Sequence, residues 1–219
     1  KNNGDGTFTD VTKSAGLLSF HPTQTASWAD VNNDGYLDLF IGNESTEKRS
    51  HPCELYINQK DGSFTEESSN YNLSSIDGFI KGVVFGDINN DKWPDLYISV
   101  LGGNNLLFKN DFGKFKNISE TAGVQGPNFS FPTWFWDVNN DGFNDILVAS
   151  YDTRNTKNIA GDFAKELQGE KVRSDTSKLY INNGDETFSD QSSAFNIDKS
   201  FYAMGSNFGD LDNDGWLDF

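Results

Sequence analysis

Three stretches of the chain are apolar without alternation: Leu39-Phe-Ile41, Leu96-Tyr-Ile98 and Ile146-Leu-Val-Ala149. A strand with one face in water alternates apolar and polar residues, so an unbroken run predicts a strand buried on both faces. Each run follows a nine-residue polar stretch rich in aspartate, which is itself preceded by a short apolar segment: Ala26–Ala29, Val83–Gly86 and Trp134–Trp136, with a fourth at Ser206–Gly209. Further on comes a run ending in asparagine, as in Leu55-Tyr-Ile-Asn58 and Leu179-Tyr-Ile-Asn182. A turn rich in Asp and Gly and a lone phenylalanine among polar residues follow it (Phe8, Phe64, Phe115, Phe188). Asp-Gly and Asn-Gly between apolar runs signal hairpins. Each unit therefore predicts four strands: one entering the aspartate stretch, one leaving it, one ending in asparagine and one starting at the lone phenylalanine.

The aspartate stretch is a repeat. Asp30-Val-Asn-Asn-Asp-Gly-Tyr-Leu-Asp38 returns from Asp87, Asp137 and Asp210, at separations of 57, 50 and 73 residues. Two motifs locked in one phase imply a repeat architecture. Stacked four-stranded sheets would bury the middle strands twice, as in the blades of a β-propeller. The expected fold class is all-β, a propeller of four-stranded antiparallel blades, with repeat units at about 1–53, 54–105, 106–177 and 178–219. The third unit carries an insertion at 152–177. Ile159, Phe163 and Leu167 recur there at helical spacing, which suits a short amphipathic surface helix or else a polar loop without structure.

The stretch places oxygen side chains at positions 1, 3, 5 and 9, with a carbonyl at 7. Oxygen-only ligands in this alternation suit a hard cation of high coordination number. The expected metal ligands are Asp30, Asn32, Asp34, Asp38 and the carbonyl of Tyr36 in the first loop, and Asp87, Asn89, Asp91, Asp95 and Trp93 in the second. The third loop offers Asp137, Asn139, Asp141, Asp145 and Phe143, and the fourth Asp210, Asp212, Asp214, Asp218 and Trp216. An EF-hand begins similarly but needs a glutamate at position 12, where this chain has Ile41, Ile98 or Val148. Three carboxylates about 5 Å apart repel by roughly 3 kcal/mol per pair at an effective dielectric near 20, so an empty loop stores on the order of 10 kcal/mol. Calcium (Ca2+), up to four ions, is expected ahead of magnesium, which keeps its own waters; solvated Asp-Gly turns are the alternative. Lys92 stands in the second loop where the others have glycine, and that loop is expected to hold its ion most weakly.

Charge fits this picture. The 219 residues carry 33 Asp plus Glu against 17 Lys plus Arg, a formal net charge of −16. Three acids in each of the first three loops and four in the last are ligand candidates, so four divalent ions would halve that charge. Nucleic acid and anionic membrane surfaces need a basic footprint and are excluded as partners. Aromatic residues make up 14% of the chain, too many for a disordered acidic segment. No apolar run is long enough to cross a membrane, so no membrane insertion is expected. Cys53 is the single cysteine.

These motifs resemble FG-GAP (VCBS-type) repeats, most closely in the cartilage acidic protein and ASPIC/UnbV-like group. The namesake phenylalanine-glycine pair stands at Phe85-Gly86 and Phe208-Gly209, whereas the other two copies have Trp28-Ala29 and Phe135-Trp136. The resemblance implies four-stranded antiparallel blades, a calcium ion between the first two strands of each, and an extracellular, periplasmic or cell-surface setting. Such propellers usually have seven blades; this chain supplies about four and is expected to be part of a larger ring.

For function, the leading expectation is a non-enzymatic scaffold for adhesion or recognition of an extracellular protein or glycan through loops such as Asp152–Ser177. The alternative is a carbohydrate-active module, a lectin or polysaccharide lyase. Trp134, Phe135 and Trp136 form the one aromatic cluster that could stack on a sugar, unless they lie in the core. No nucleophile is framed by a recognisable motif and only two histidines are present, so catalysis is not expected. His51-Pro-Cys53 reads as a turn.

Overall fold

The computed structural model describes residues 1–170 and 172–218. The insertion 152–177 therefore includes one position, 171, outside the described residues. Twelve strands occur among those described: β1 (Thr23–Ala29), β2 (Asp38–Asn43), β3 (Glu54–Asn58), β4 (Phe64–Glu66), β5 (Ile80–Gly86), β6 (Asp95–Val100), β7 (Leu106–Asp111), β8 (Lys114–Asn117), β9 (Ser130–Trp136), β10 (Asp145–Ser150), β11 (Lys178–Asn182) and β12 (Phe188–Asp190). They make three four-stranded antiparallel sheets, β1-β2-β3-β4, β5-β6-β7-β8 and β9-β10-β11-β12. The first strands lie side by side, β1 against β5 and β5 against β9.

Every residue of β2, β6 and β10 is buried. The reason is visible in the cores. In β6, Leu96 and Ile98 face a core shared with the first sheet, where they meet Phe40, Leu55 and Ile80. Tyr97, between them in sequence, joins Ile146, Val148 and Tyr180 in the core shared with the third sheet. The sheets are thus layers, each middle strand feeding two interfaces. At the second of these interfaces a Cβ on Gly86 would lie 2.5 Å from the ring of Phe135, so the glycine of Phe85-Gly86 is what lets the next sheet approach.

The repeat units expected from sequence run out of phase with the sheets. A unit such as 54–105 contains β3 and β4 of one sheet and β5 and β6 of the next. Chain continuity therefore crosses each interface. The short turn after each lone phenylalanine does the same: Ala15 O accepts from Phe64 N at 2.8 Å, seating the N-terminal segment on β4.

The fourth copy differs from expectation. No fourth sheet forms among the described residues. Ser206–Gly209 is not a strand, and pairing is limited to Gly209 and Asp218, whose backbones exchange hydrogen bonds of 3.0 and 2.8 Å. In the insertion, Ile159–Leu167 forms helix α1, capped by Asn158, whose side chain accepts from Gly161 N. The polar-loop alternative is set aside for that segment.

Candidate metal centre

The first three aspartate stretches are loops at the same end of their sheets, and the fourth copy curls in the same way. In the first, Asp30 turns inward: Oδ1 accepts from Asp34 N at 2.9 Å and Oδ2 from Gly35 N at 2.7 Å. Asn32 Oδ1 accepts from Asp34 N, and Asp34 Oδ1 from Tyr36 N at 3.0 Å, which fixes the residue whose carbonyl is the expected fifth ligand. The same bonds recur around Asp87, Asn89, Asp91 and Trp93, around Asp137, Asn139, Asp141 and Phe143, and around Asp210, Asp212, Asp214 and Trp216. Short side chains bonding to nearby backbone are what lets aspartate and asparagine form such loops.

Two left-handed residues make the inward curl. Position 4 is asparagine throughout, with φ of 54° at Asn33, 60° at Asn90, 55° at Asn140 and 60° at Asn213; asparagine tolerates this region better than other side-chain-bearing residues. Position 6 needs it too, with φ of 88° at Gly35 and 89° at Gly142 and Gly215. Lys92 is held there at φ 70°, the unusual backbone its sequence position implies.

The position-9 aspartates have a role that spacing did not disclose. Asp38, Asp95 and Asp145 are each wholly buried. Asp95 accepts from Ile88 N (2.9 Å) at one oxygen and from Asn110 N (2.8 Å) at the other. Asp38 does so with Val31 and Asn58, and Asp145 with Val138 and Asn182. One carboxylate thereby joins the start of the loop to the third strand. Burial, reinforced by the other loop aspartates and opposed by these N–H donors, pushes the carboxyls up, Asp38 and Asp145 to about 6 and Asp95 to about 7. Each carboxylate oxygen has a second lone pair, and a divalent cation beside the loop would favour the ionised form. In the fourth loop Asp210, Asp212 and Asp218 each bring an oxygen within 4.8 Å of the others. The donor set fits calcium by its chemistry, all oxygen and mostly anionic.

A second set of residues escaped the sequence reading. The asparagine ending the third strand is a cross-sheet tie. Asn110 Nδ2 donates to Val31 O in the first loop (2.9 Å), and Asn182 Nδ2 to Ile88 O in the second (2.8 Å). The loops also touch directly. Asn33 Nδ2 donates to Lys92 O (3.1 Å), Asn90 Nδ2 to Gly142 O (3.0 Å), and Asn144 Nδ2 to Asp87 O (2.9 Å). The signal was present, since asparagine recurs at both places; its partners lie 52 to 94 residues away.

The family model for FG-GAP-like repeats matches residues 1–41, 30–98 and 137–219. The chain belongs to this family. In this FG-GAP-like repeat protein the unmatched stretch, 99–136, still forms β7, β8 and β9. Its departure is local: the β7–β8 hairpin turns tightly through Phe112 and Gly113, both at positive φ, where the other hairpins use a longer Asp-containing loop. No curated protein matches the chain. Among the described residues no helix is long and apolar enough to cross a membrane.

Proposed function

We propose that this FG-GAP-like repeat protein is a non-enzymatic scaffold that binds calcium in up to four aspartate loops and recognises an extracellular protein or glycan. The observation that carries the reading is the fourfold recurrence of one loop, curled by the same side-chain-to-backbone hydrogen bonds, with its carboxylate oxygens converging in the fourth copy. Asp30, Asn32, Asp34, Asp38 and the Tyr36 carbonyl would hold one ion, and their counterparts the others. Bound calcium supplies positive charge between carboxylates that otherwise repel. The chain's own residues bring them together: the position-6 turn curls the loop, and the buried position-9 carboxylate anchors it to the third strand.

FG-GAP repeats are typical of extracellular or surface proteins, where calcium is plentiful. Recognition falls to the opposite rim, where the insertion joins β10 to β11. That segment is anchored: Asp152 binds Arg154 through both oxygens (2.8 and 2.9 Å), the guanidinium lies 3.6 Å over the Phe129 ring, and Glu166 accepts from Ser200 N. Helix α1 buries none of its residues and leaves Leu167 exposed. The carbohydrate-active alternative loses its stacking platform, because Trp134, Phe135 and Trp136 are all buried.

The test is a thermal melt in calcium and in excess EDTA, with calorimetric titration of the chelated protein. A large fall in Tm on chelation, restored by calcium, supports the reading; an unchanged melt sinks it. A glycan array then separates glycan from protein recognition.

A further inference from the structure

The two histidines of the chain, 30 positions apart, meet. His21 Nδ1 and His51 Nδ1 are 3.0 Å from one another, with ring centroids 5.2 Å apart and planes at 67°. His21 lies just before β1 and His51 just before β3, at the rim opposite the aspartate loops. Each is held by its backbone: His21 N donates to Ser19 Oγ (3.3 Å) and His51 N to Ser45 Oγ (2.6 Å). Carboxylates stand close by. Ser19 Oγ donates to Glu54 Oε2 (2.7 Å), and Ser50, adjacent to His51, binds Asp77. His21 and Glu54 also line a cavity of about 220 Å³ that opens beside the pair.

We propose that His21 and His51 form a two-imidazole site for a divalent transition metal, copper(II) above all. Ring nitrogens 3.0 Å apart either share a proton or share a metal. Ligands at about 2.0–2.1 Å from an ion lie about 2.9 Å apart at a right angle and about 3.4 Å apart at the tetrahedral angle. The observed separation suits an N–H···N hydrogen bond and equally the bite of a tetragonal ion such as copper(II) or nickel(II), whereas zinc would need the rings to spread by a few tenths of an ångström. Copper(II) also heads the affinity order for nitrogen sites. Water in the adjoining cavity can complete the coordination, and Glu54 and Asp77 offset part of the charge. Calcium prefers oxygen ligands, so this site and the aspartate loops select different ions. A metal here would cross-link the segment leading into β1 to the β2–β3 connection, stapling the first sheet at its outer end.

The experiment uses the whole chain saturated with calcium and titrated with copper(II) supplied as its weak glycine complex. Calorimetry gives stoichiometry, and electron paramagnetic resonance counts nitrogen donors. One copper per chain with two imidazole nitrogens, and a raised Tm, is the expected result. His21→Gln and His51→Gln should each weaken binding more than about tenfold, since loss of a mere supporting partner of a ligand already costs that much. Cys53→Ser should leave the site intact, because Cys53 is buried beside the pair and is not a donor in this scheme. Wild-type affinity in either histidine variant, with its fold intact by circular dichroism, overturns the proposal. So does a wild-type spectrum without imidazole nitrogens, which decides the matter even where a variant fails to fold.

Discussion

The second and fourth aspartate loops share the four hydrogen bonds that curl them and differ in what surrounds them. Asp95 is wholly buried and ties Ile88 N to Asn110 N. Asp218 accepts from Leu211 N in its own loop and has no third strand to bind among the described residues. The curl of the loop is therefore a local property of aspartate, asparagine and a left-handed turn. Burial of the position-9 carboxylate is a gift of the third strand. A loop without that strand has the shape of a site without its anchor.

Chelation should produce the largest effect on this contrast. If calcium fills the loops at about a hundredfold excess over Kd, each ion contributes about 2.7 kcal/mol. Excess EDTA should then lower Tm on the order of 20 °C or more, as read by a calorimetric scan. Next comes Asp95→Ala, which strands two buried N–H groups and should cost about 2–5 kcal/mol in urea unfolding. Asp218→Ala should change the same measurement by about 0.5 kcal/mol or less. Equal losses would show that the two loops are anchored alike.

Asn182→Ala removes donors to Ile88 O and Asn144 O, leaving buried carbonyls unpaired. It should cost about 1–3 kcal/mol and, on the cross-sheet reading, weaken calcium binding in the second loop as well as the third. A smaller effect is expected from pH. In EDTA, Asp38, Asp95 and Asp145 have folded pKa values above the ordinary aspartate value of about 3.9. The folded state then binds more protons than the unfolded one, so their stabilisation is complete below about pH 4 and lost as pH rises to 6 or 7. Tm should fall across that window in EDTA and hold steady with calcium bound. Lys92→Gly should act in the opposite direction, relieving a left-handed lysine and raising stability by about 0.5 kcal/mol or less.

Most of the fold was legible because its signals are local. The unbroken runs at Leu39, Leu96 and Ile146 state two-sided burial in three or four residues, and the aspartate loop forms from bonds spanning two to five positions. The helix at Ile159 declared its spacing in the same way. What sequence did not reveal depends on distant partners. Asn110 and Asn182 look like turn residues until their cross-sheet carbonyls are known, and Trp134 looks like a platform until Ile197, Phe201 and the Phe208 ring pack over it. The histidine pair belongs with these, since nothing within either segment names the other ring.

The cross-sheet asparagines also set a timetable for synthesis. Val31 O finds its partner in Asn110, 79 residues later. At about 5–20 residues per second a ribosome needs roughly 4 to 16 s to deliver it. Throughout that interval the first loop, though fully translated, has water in place of its amide partner, and Ile88 O waits likewise for Asn182. The nascent chain therefore matures as a procession, every layer finished by the one behind it.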